Sequence, residues 1–212
     1  MPETSAISAV LAAKAMVQLD PVKAREIFQD LISQPIVAPA LLQAVVQGAA
    51  ELPYDKPDIA LADKLAKCFV NHFPESSFSE ASFAEKAHDW IVAMSQTGRT
   101  RCTNLIAKVF DAVVREKRLE DGHSVDWNKL SPAEQKLCSE IMEHFRAFGC
   151  GAFLPTLRLL GRGTPPYTAW HSKVNETIHA ITSRIAGLRG LLERVKNRLA
   201  GYSTPSRPDT AL

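Results

Sequence analysis

The sequence lacks the features that mark disulfide scaffolds and membrane proteins. Four cysteines in 212 residues are too few and too widely spaced for a disulfide framework or a Cys-x-x-Cys metal knuckle. No stretch approaches the roughly 18 apolar residues that a membrane span needs, and the apolar run 6–17 is interrupted by Lys14. We therefore expect a globular chain with reduced thiols in an intracellular, cytoplasmic location, with neither a signal peptide nor membrane contact.

Motifs of catalysis are also scarce. Walker-type phosphate loops and the Gly-x-Ser-x-Gly motif of hydrolases do not occur. Cys68 and His72 share a helix face at i, i+4 spacing, as do Glu140 and His144. Each pair supplies two ligands, whereas structural zinc needs four and catalytic zinc three. We predict no catalytic residue, no cofactor and no metal site, and we expect that the chain is not an enzyme.

Helical periodicity, by contrast, is abundant. Apolar residues recur at three- and four-residue spacing in almost every segment, and no sustained alternation of β-branched or aromatic residues indicates a strand. Two helix starts have a clear cap: Asp20 before Pro21, and Ser131-Pro132 with Glu134 three residues after the serine. The predicted helices are 4–19, 21–33, 39–52, 58–73, 79–96, 99–119, 132–148, 152–160 and 168–201.

Helices of this length with short connections determine the expected architecture. They predict an all-α fold of stacked antiparallel helical hairpins, either a HEAT- or armadillo-like α-solenoid or a bundle, with a long C-terminal helix. We divide the chain into a helical-repeat domain 1–163, a basic C-terminal helical segment 164–203 and a disordered tail 204–212. Trp127 and Trp170 lie beside predicted loops, and we interpret them as clamps packed on the domain, with binding anchors as the alternative.

Basic charge is unevenly distributed along the chain, although the formal net charge is only +2. Residues 1–98 hold seven Lys and Arg against twelve Asp and Glu, whereas 99–118 and 171–201 each hold six against two. Arg99 and Arg101 lie at the N-terminal, positive end of a predicted helix, where cations are mildly unfavourable. We therefore predict that they contact an anionic partner, protein or RNA, with a solvated surface as the alternative.

The last predicted helix contains a heptad seam. Its apolar residues alternate four- and three-residue spacing: Val174, Ile178, Ile181, Ile185, Leu188, Leu192, Val195 and Leu199. The flanking positions include four basic residues and no acid: Arg184, Arg189, Lys196 and Arg198. Because like charges would face each other, a parallel homodimeric coiled coil is disfavoured. We expect the seam to pack on the acidic residues 1–98 of the same chain, with an acidic partner or RNA as the alternative ligand of the basic residues.

Two regions of the chain have a recognisable order of helices. The segment 22–35 reads Val-Lys-Ala-Arg-Glu-Ile-Phe-Gln-Asp-Leu-Ile-Ser-Gln-Pro, and the small apolar helix 39–52 follows it. The segment 99–120 starts with an arginine, contains Phe110 and has Lys-Arg-Leu at 117–119 near its end. In order and separation, with 61–73 as an intervening helix, these segments resemble the middle domain of eukaryotic initiation factor 4G.

That resemblance implies a function as well as a fold. The family is a helical-repeat scaffold also found in splicing, mRNA-decay and cap-binding proteins, although its usual Gly-Glu pair is replaced here by Ala107-Lys108. The resemblance implies a non-enzymatic adaptor in translation or mRNA metabolism that docks an RNA helicase or another protein and touches RNA. The alternative is a structural or assembly subunit of a protein complex, including a viral or secretion-system one, with no role in RNA binding.

Overall fold

Nine α-helices account for most of the described chain in the computed structural model, which describes residues 3–34, 37–53, 57–115, 117, 125–149, 151–163 and 169–202. The helices are α1 Glu3–Met16, α2 Pro21–Ile32, α3 Pro39–Ala50, α4 Ile59–His72, α5 Phe83–Gly98, α6 Thr103–Arg115, α7 Pro132–Phe148, α8 Leu154–Gly163 and α9 Ala169–Tyr202. Short 3₁₀ turns join several of them, and this part of the chain contains no β-strand. The predicted all-α fold with a long C-terminal helix is therefore confirmed.

Local capping fixes the helix starts that the sequence marks most clearly. The carboxylate of Asp20 accepts a hydrogen bond from the backbone N–H of Lys23, at 3.0 Å, in front of Pro21. At α7, the hydroxyl of Ser131 accepts from the N–H of Glu134, and the Glu134 carboxylate accepts from the N–H of Ser131 at 2.7 Å. This reciprocal capping box satisfies two backbone donors that the first turn would otherwise leave unpaired.

The helices pack in two layers. The odd-numbered helices lie side by side in chain order, with α1 against α3, α3 against α5, α5 against α7, and α7 against α9. Each even-numbered helix packs on the odd-numbered helix that follows it, which gives the pairs α2–α3, α4–α5, α6–α7 and α8–α9, and α2 packs more extensively still on α1. Stacked helix pairs of this kind are the organisation of an α-solenoid, one of the two architectures that the sequence predicts.

Aromatic and aliphatic side chains from successive helices form one continuous core. Phe28 of α2, Phe69 of α4 and Trp90 of α5 are fully buried, as are Phe110 of α6 and Phe145 of α7. Burial of side chains of this size contributes about 1.5–3 kcal/mol each, and it holds the two layers together along the whole stack.

An aromatic contact packs the start of the last helix against the rest of the domain. The ring of Trp127, in the turn before α7, packs against the ring of Trp170 at the start of α9. Trp127 is buried and Trp170 is half-buried. The geometry agrees with our interpretation of these two residues as clamps.

One predicted helix begins later in the structure than the sequence pattern indicates. The pattern predicts a single helix over 99–119, whereas α5 extends to Gly98, a 3₁₀ turn spans Arg99–Cys102 and α6 begins at Thr103. A Cβ at Gly98 would lie 2.5 Å from Sγ of Cys102, so the chain approaches itself closely at this position. Arg99 then has a φ of 43°, which ends the helical path. Residues 116 and 118–124, where the predicted helix would end, lie outside the described part, as does the predicted tail 204–212.

Candidate functional site

Helix α9 is packed on the domain along its first half only. Val174 and Ile181 are fully buried and Ile178 and Ile185 are half-buried, against α7, α8 and the turn before α8. The Nζ atom of Lys173 lies 3.2 Å from the Glu143 carboxylate of α7. The seam thus does pack within the chain over these residues, but its neighbours are α7 and α8 and not the acidic segment 1–98 that we expected to receive it.

The second half of the seam faces solvent. Every residue from 186 to 198 is exposed, including four with large aliphatic side chains: Leu188 at 56%, Leu191 at 50%, Leu192 at 59% and Val195 at 46% exposure. We call these four side chains the apolar row. The side chain of Leu199, the last residue of the predicted seam, lies outside the described part.

The basic residues beside the seam have different environments. The Arg184 guanidinium donates hydrogen bonds to the backbone oxygens of Arg146 and of Gly149, the latter at 2.7 Å. It therefore caps the C-terminal end of α7, where a cation also complements the helix dipole. Arg184 has an intramolecular role in addition to any contact with a partner.

The other three flanking cations lie on the free part of α9. Arg189 and Arg198 are exposed, and Lys196 forms a 2.9 Å ion pair with Glu193 one turn away. The free part of α9 is therefore basic as well as apolar, as the sequence predicts.

Of the two arginines at the junction of α5 and α6, Arg101 is exposed and Arg99 is half-buried. The guanidinium of Arg101 binds both carboxylate oxygens of Asp63 in α4, at 2.7 and 3.0 Å. This side-chain hydrogen bond holds the pKa of Asp63 below its ordinary value and raises the pKa of Arg101 above its own. Arg99, Thr100 and Arg101 line a cavity of about 710 Å³ that is open to solvent. The contact of Arg99 and Arg101 with an anionic partner stays a prediction.

A buried histidine joins three helices. His144 of α7 is 2% exposed; its Nδ1 atom lies 2.8 Å from the hydroxyl of Ser95 in α5, and its Nε2 atom lies 2.9 Å from the hydroxyl of Thr103 in α6. Because Thr103 donates to the backbone oxygen of Arg99, it accepts from Nε2–H, and Ser95 donates to Nδ1. Burial lowers the pKa of His144 from 6.5 to about 4, so the ring is neutral at physiological pH.

From the sequence, His144 is considered only as a metal ligand beside Glu140, and its structural role is not predicted. It stands on the apolar stripe of α7, between Ile141 and Phe145, where a polar ring must find internal partners. That position is the signal that could have identified it. With a hydroxyl on each nitrogen and a lowered pKa, the ring is a weak base held by structural hydrogen bonds.

The residue pairs considered as metal ligands have other contacts. The ring of His72 packs against those of Phe73 and Trp90, and burial raises the pKa of the Cys68 thiol. Among the described residues, no group of three or more His, Cys, Asp and Glu side chains is placed to hold a metal ion.

Neither the protein-family models, nor the curated proteins, nor the solved structures contain a match to this chain. Of the helices in the described part, none combines the length and the apolar character needed to cross a bilayer. The observations that bear on function are therefore the stack of helices and its surfaces, above all the apolar row.

Proposed function

We propose that this chain is a non-enzymatic helical scaffold that docks another protein in translation or mRNA metabolism in the cytoplasm. The observation that supports docking is the apolar row, four aliphatic side chains that face solvent on one helix. Single exposed aliphatic residues are common on protein surfaces, but a contiguous group usually marks an interaction site. The partner in this proposal is a helicase or another translation or mRNA-processing factor, and RNA is a further ligand.

Two other observations support a scaffold. The paired helices form an extended stack, and folds of this type present long surfaces to partners. His144, the best candidate for a catalytic base, has both ring nitrogens engaged by hydroxyls inside the stack. The assignment to translation or mRNA metabolism depends on the resemblance of 22–52 and 99–120 to the initiation-factor domain.

The alternative proposal is a structural subunit of a larger assembly. It is favoured by the same division of α9, since a helix anchored at one end and exposed at the other also suits permanent attachment to a neighbouring subunit. The two proposals differ in what accompanies the chain: RNA and RNA-associated factors in the first, a stoichiometric partner without RNA in the second.

Affinity purification of the tagged chain from a lysate of its source organism tests this proposal. The bait is compared with a variant of the apolar row, Leu188→Ser/Leu192→Ser, and with the matched control Leu11→Ser/Leu19→Ser, whose leucines are exposed elsewhere. We expect translation or mRNA-processing factors with the wild type and the control, and loss of them with the row variant. Recovery of a stoichiometric partner with no RNA-associated factor, before and after nuclease treatment, would favour the assembly subunit and contradict the proposed process.

A further inference from the structure

The apolar row continues a helix-packing seam that is already occupied at its other end. In the heptad, Ile185 and Leu192 occupy positions a, and Ile181, Leu188 and Val195 occupy positions d. The residues up to Ile185 receive α7 and α8, and those from Leu188 onward receive nothing in the described part of the chain. A helix laid along the row would therefore extend the same face of α9 that already packs on helices.

The junction between the packed and the free half offers a place for such a helix to begin. An open notch of about 480 Å³ lies between α8 and α9. It is lined by Leu154 and Arg158 of α8 and by Ile185, Ala186 and Arg189 of α9, together with Thr182. The notch is mostly apolar and its lining includes Ile185, the seam residue before Leu188, so a large aliphatic or aromatic side chain of a partner can enter it.

The charges along the apolar row are complementary to acidic side chains on a partner. Arg189 and Lys196 occupy e positions on one side, and Arg198 occupies a g position on the other. Glu193 is the one acidic residue in the segment 186–202, and it lies away from the row, paired with Lys196. In coiled-coil packing, e and g residues face those of the partner helix, so a partner with glutamate there is favoured.

A second copy of this chain is a poor occupant of the row. Parallel pairing would bring Arg189 against Arg184 of the other copy, and antiparallel pairing would bring e residues, which include Arg189 and Lys196, against each other. Their mutual repulsion opposes association of the copies.

A bilayer or an RNA bound to the apolar row would explain fewer of the features of α9 than a partner helix does. Helices that lie in a membrane interface commonly anchor with Trp or Phe, and the segment 186–202 contains neither. RNA phosphates would engage the cations but would leave the aliphatic row in water. Neither uses the continuity of the row with the seam against α7 and α8.

We infer that the free half of α9 binds an acidic amphipathic helix of a partner protein, which packs along Leu188, Leu192 and Val195 and pairs its carboxylates with Arg189, Lys196 and Arg198. This inference rests on the proposed docking function and adds the chemistry of the partner. The two can fail separately, because the test below uses a defined peptide in place of a cellular factor.

The test is binding of a fluorescent synthetic peptide of about four heptads, long enough to be helical, with Leu at a and d and Glu at e and g. Titration of the full purified chain, followed by fluorescence anisotropy, should show saturable binding that weakens as salt rises. A peptide with Lys at e and g should bind at least about tenfold more weakly, since its charges repel those of α9.

Two variants locate the binding on α9. Leu188→Ser/Leu192→Ser should weaken binding of the acidic peptide about tenfold or more, while the control Leu11→Ser/Leu19→Ser leaves it unchanged. Arg189→Glu/Lys196→Glu should reverse the preference between the two peptides. Circular dichroism of each variant should match the wild type, because all the substituted side chains are exposed.

Several outcomes would overturn the inference. Lack of binding to the acidic peptide, or binding that the row variant and the charge reversal leave unaltered, would remove the acidic helix as the occupant. Row-dependent binding to vesicles containing phosphatidylserine or to a homopolymer RNA, without peptide binding, would assign the row to a membrane or to RNA. Row-dependent dimerisation in sedimentation equilibrium, without peptide binding, would assign it to a second copy.

Discussion

Protonation of His144 should destabilise the fold in a narrow range of acid pH. Folding lowers the pKa of this imidazole from 6.5 to about 4, so between these values the unfolded chain binds a proton that the folded chain excludes. The free energy of unfolding therefore falls as the pH is lowered through this range. The shift of the pKa corresponds to a loss of about 3 kcal/mol between neutral pH and about pH 4.

The contacts of His144 explain why the proton is costly. In the neutral ring, Nδ1 accepts from Ser95 and Nε2–H donates to Thr103. A proton on Nδ1 would turn the acceptor into a second donor, so Ser95 would have to turn its own hydrogen away. The charge would also be buried at a site where the ring is 2% exposed.

Urea unfolding measured by far-ultraviolet circular dichroism from about pH 7.5 to about pH 4 tests this reasoning. The variant His144→Gln loses stability at neutral pH because it disturbs the hydrogen bonds, but it cannot take up this proton. The difference in unfolding free energy between wild type and variant should therefore shrink by about 3 kcal/mol as the pH falls.

A matched control separates His144 from the other titrating groups. His179→Gln makes the same substitution at an exposed position of α9 and should retain the pH profile of the wild type. If the curves of wild type and His144→Gln run parallel over the whole range, the ring does not exclude the proton in the folded state, and the account of the three-helix junction is wrong.

Substitutions at two glycines and two arginines give further tests, each read by thermal unfolding. Gly98→Ala should destabilise the chain by about 1–3 kcal/mol, because its Cβ would lie 2.5 Å from Sγ of Cys102. Gly190→Ala should instead stabilise α9 by up to about 1 kcal/mol, since nothing lies within 4 Å of the new Cβ and alanine favours helix. Arg184→Ala should cost about 1–3 kcal/mol through the lost hydrogen bonds to the end of α7, whereas Arg189→Ala, at an exposed position, should change stability little. The packing would be contradicted if the two glycine variants changed the stability equally, or if the two arginine variants did.

The helices themselves were predictable because their signals are local. Apolar spacing and the caps at Asp20 and Ser131 depend on residues a few positions apart, and the structure confirms both caps. The break near Gly98 was predicted, but the 3₁₀ turn Arg99–Cys102 was not, because its cause is non-local: Gly98 must fit against Ala62 of α4 as well as Cys102. Nothing in the spacing of 99–119 reveals that neighbour.

The candidate site was predictable in part for the same reason. The heptad seam and its basic flanks belong to α9 alone and can be read from the sequence. The point at which the seam leaves the domain depends on where α7 and α8 end, and the role of Arg184 depends on the position of the last carbonyls of α7. Both are tertiary facts, so the heptad pattern alone places Arg184 and Arg189 in one group although the structure gives them different roles.

The free half of α9 has a low intrinsic helix stability and continues directly from the half that is packed on the domain. A segment as short as 186–202, with Gly187 and Gly190 inside it, would be only marginally helical by itself in water. The packed first half removes the cost of nucleation, so the helix can continue past Ile185 at a small cost for each added residue. Neither glycine is required sterically, since an added Cβ would meet nothing within 4 Å at either position.

A partner helix would therefore find a template that is already aligned, and its binding would not have to provide the free energy of nucleation. The burial of Leu188, Leu192 and Val195 on that partner would in turn stabilise the segment that the glycines weaken. Stability of the free half and affinity for the partner are thus linked. Replacing the glycines with alanine should strengthen binding of an acidic helix even though neither residue lies on the apolar row.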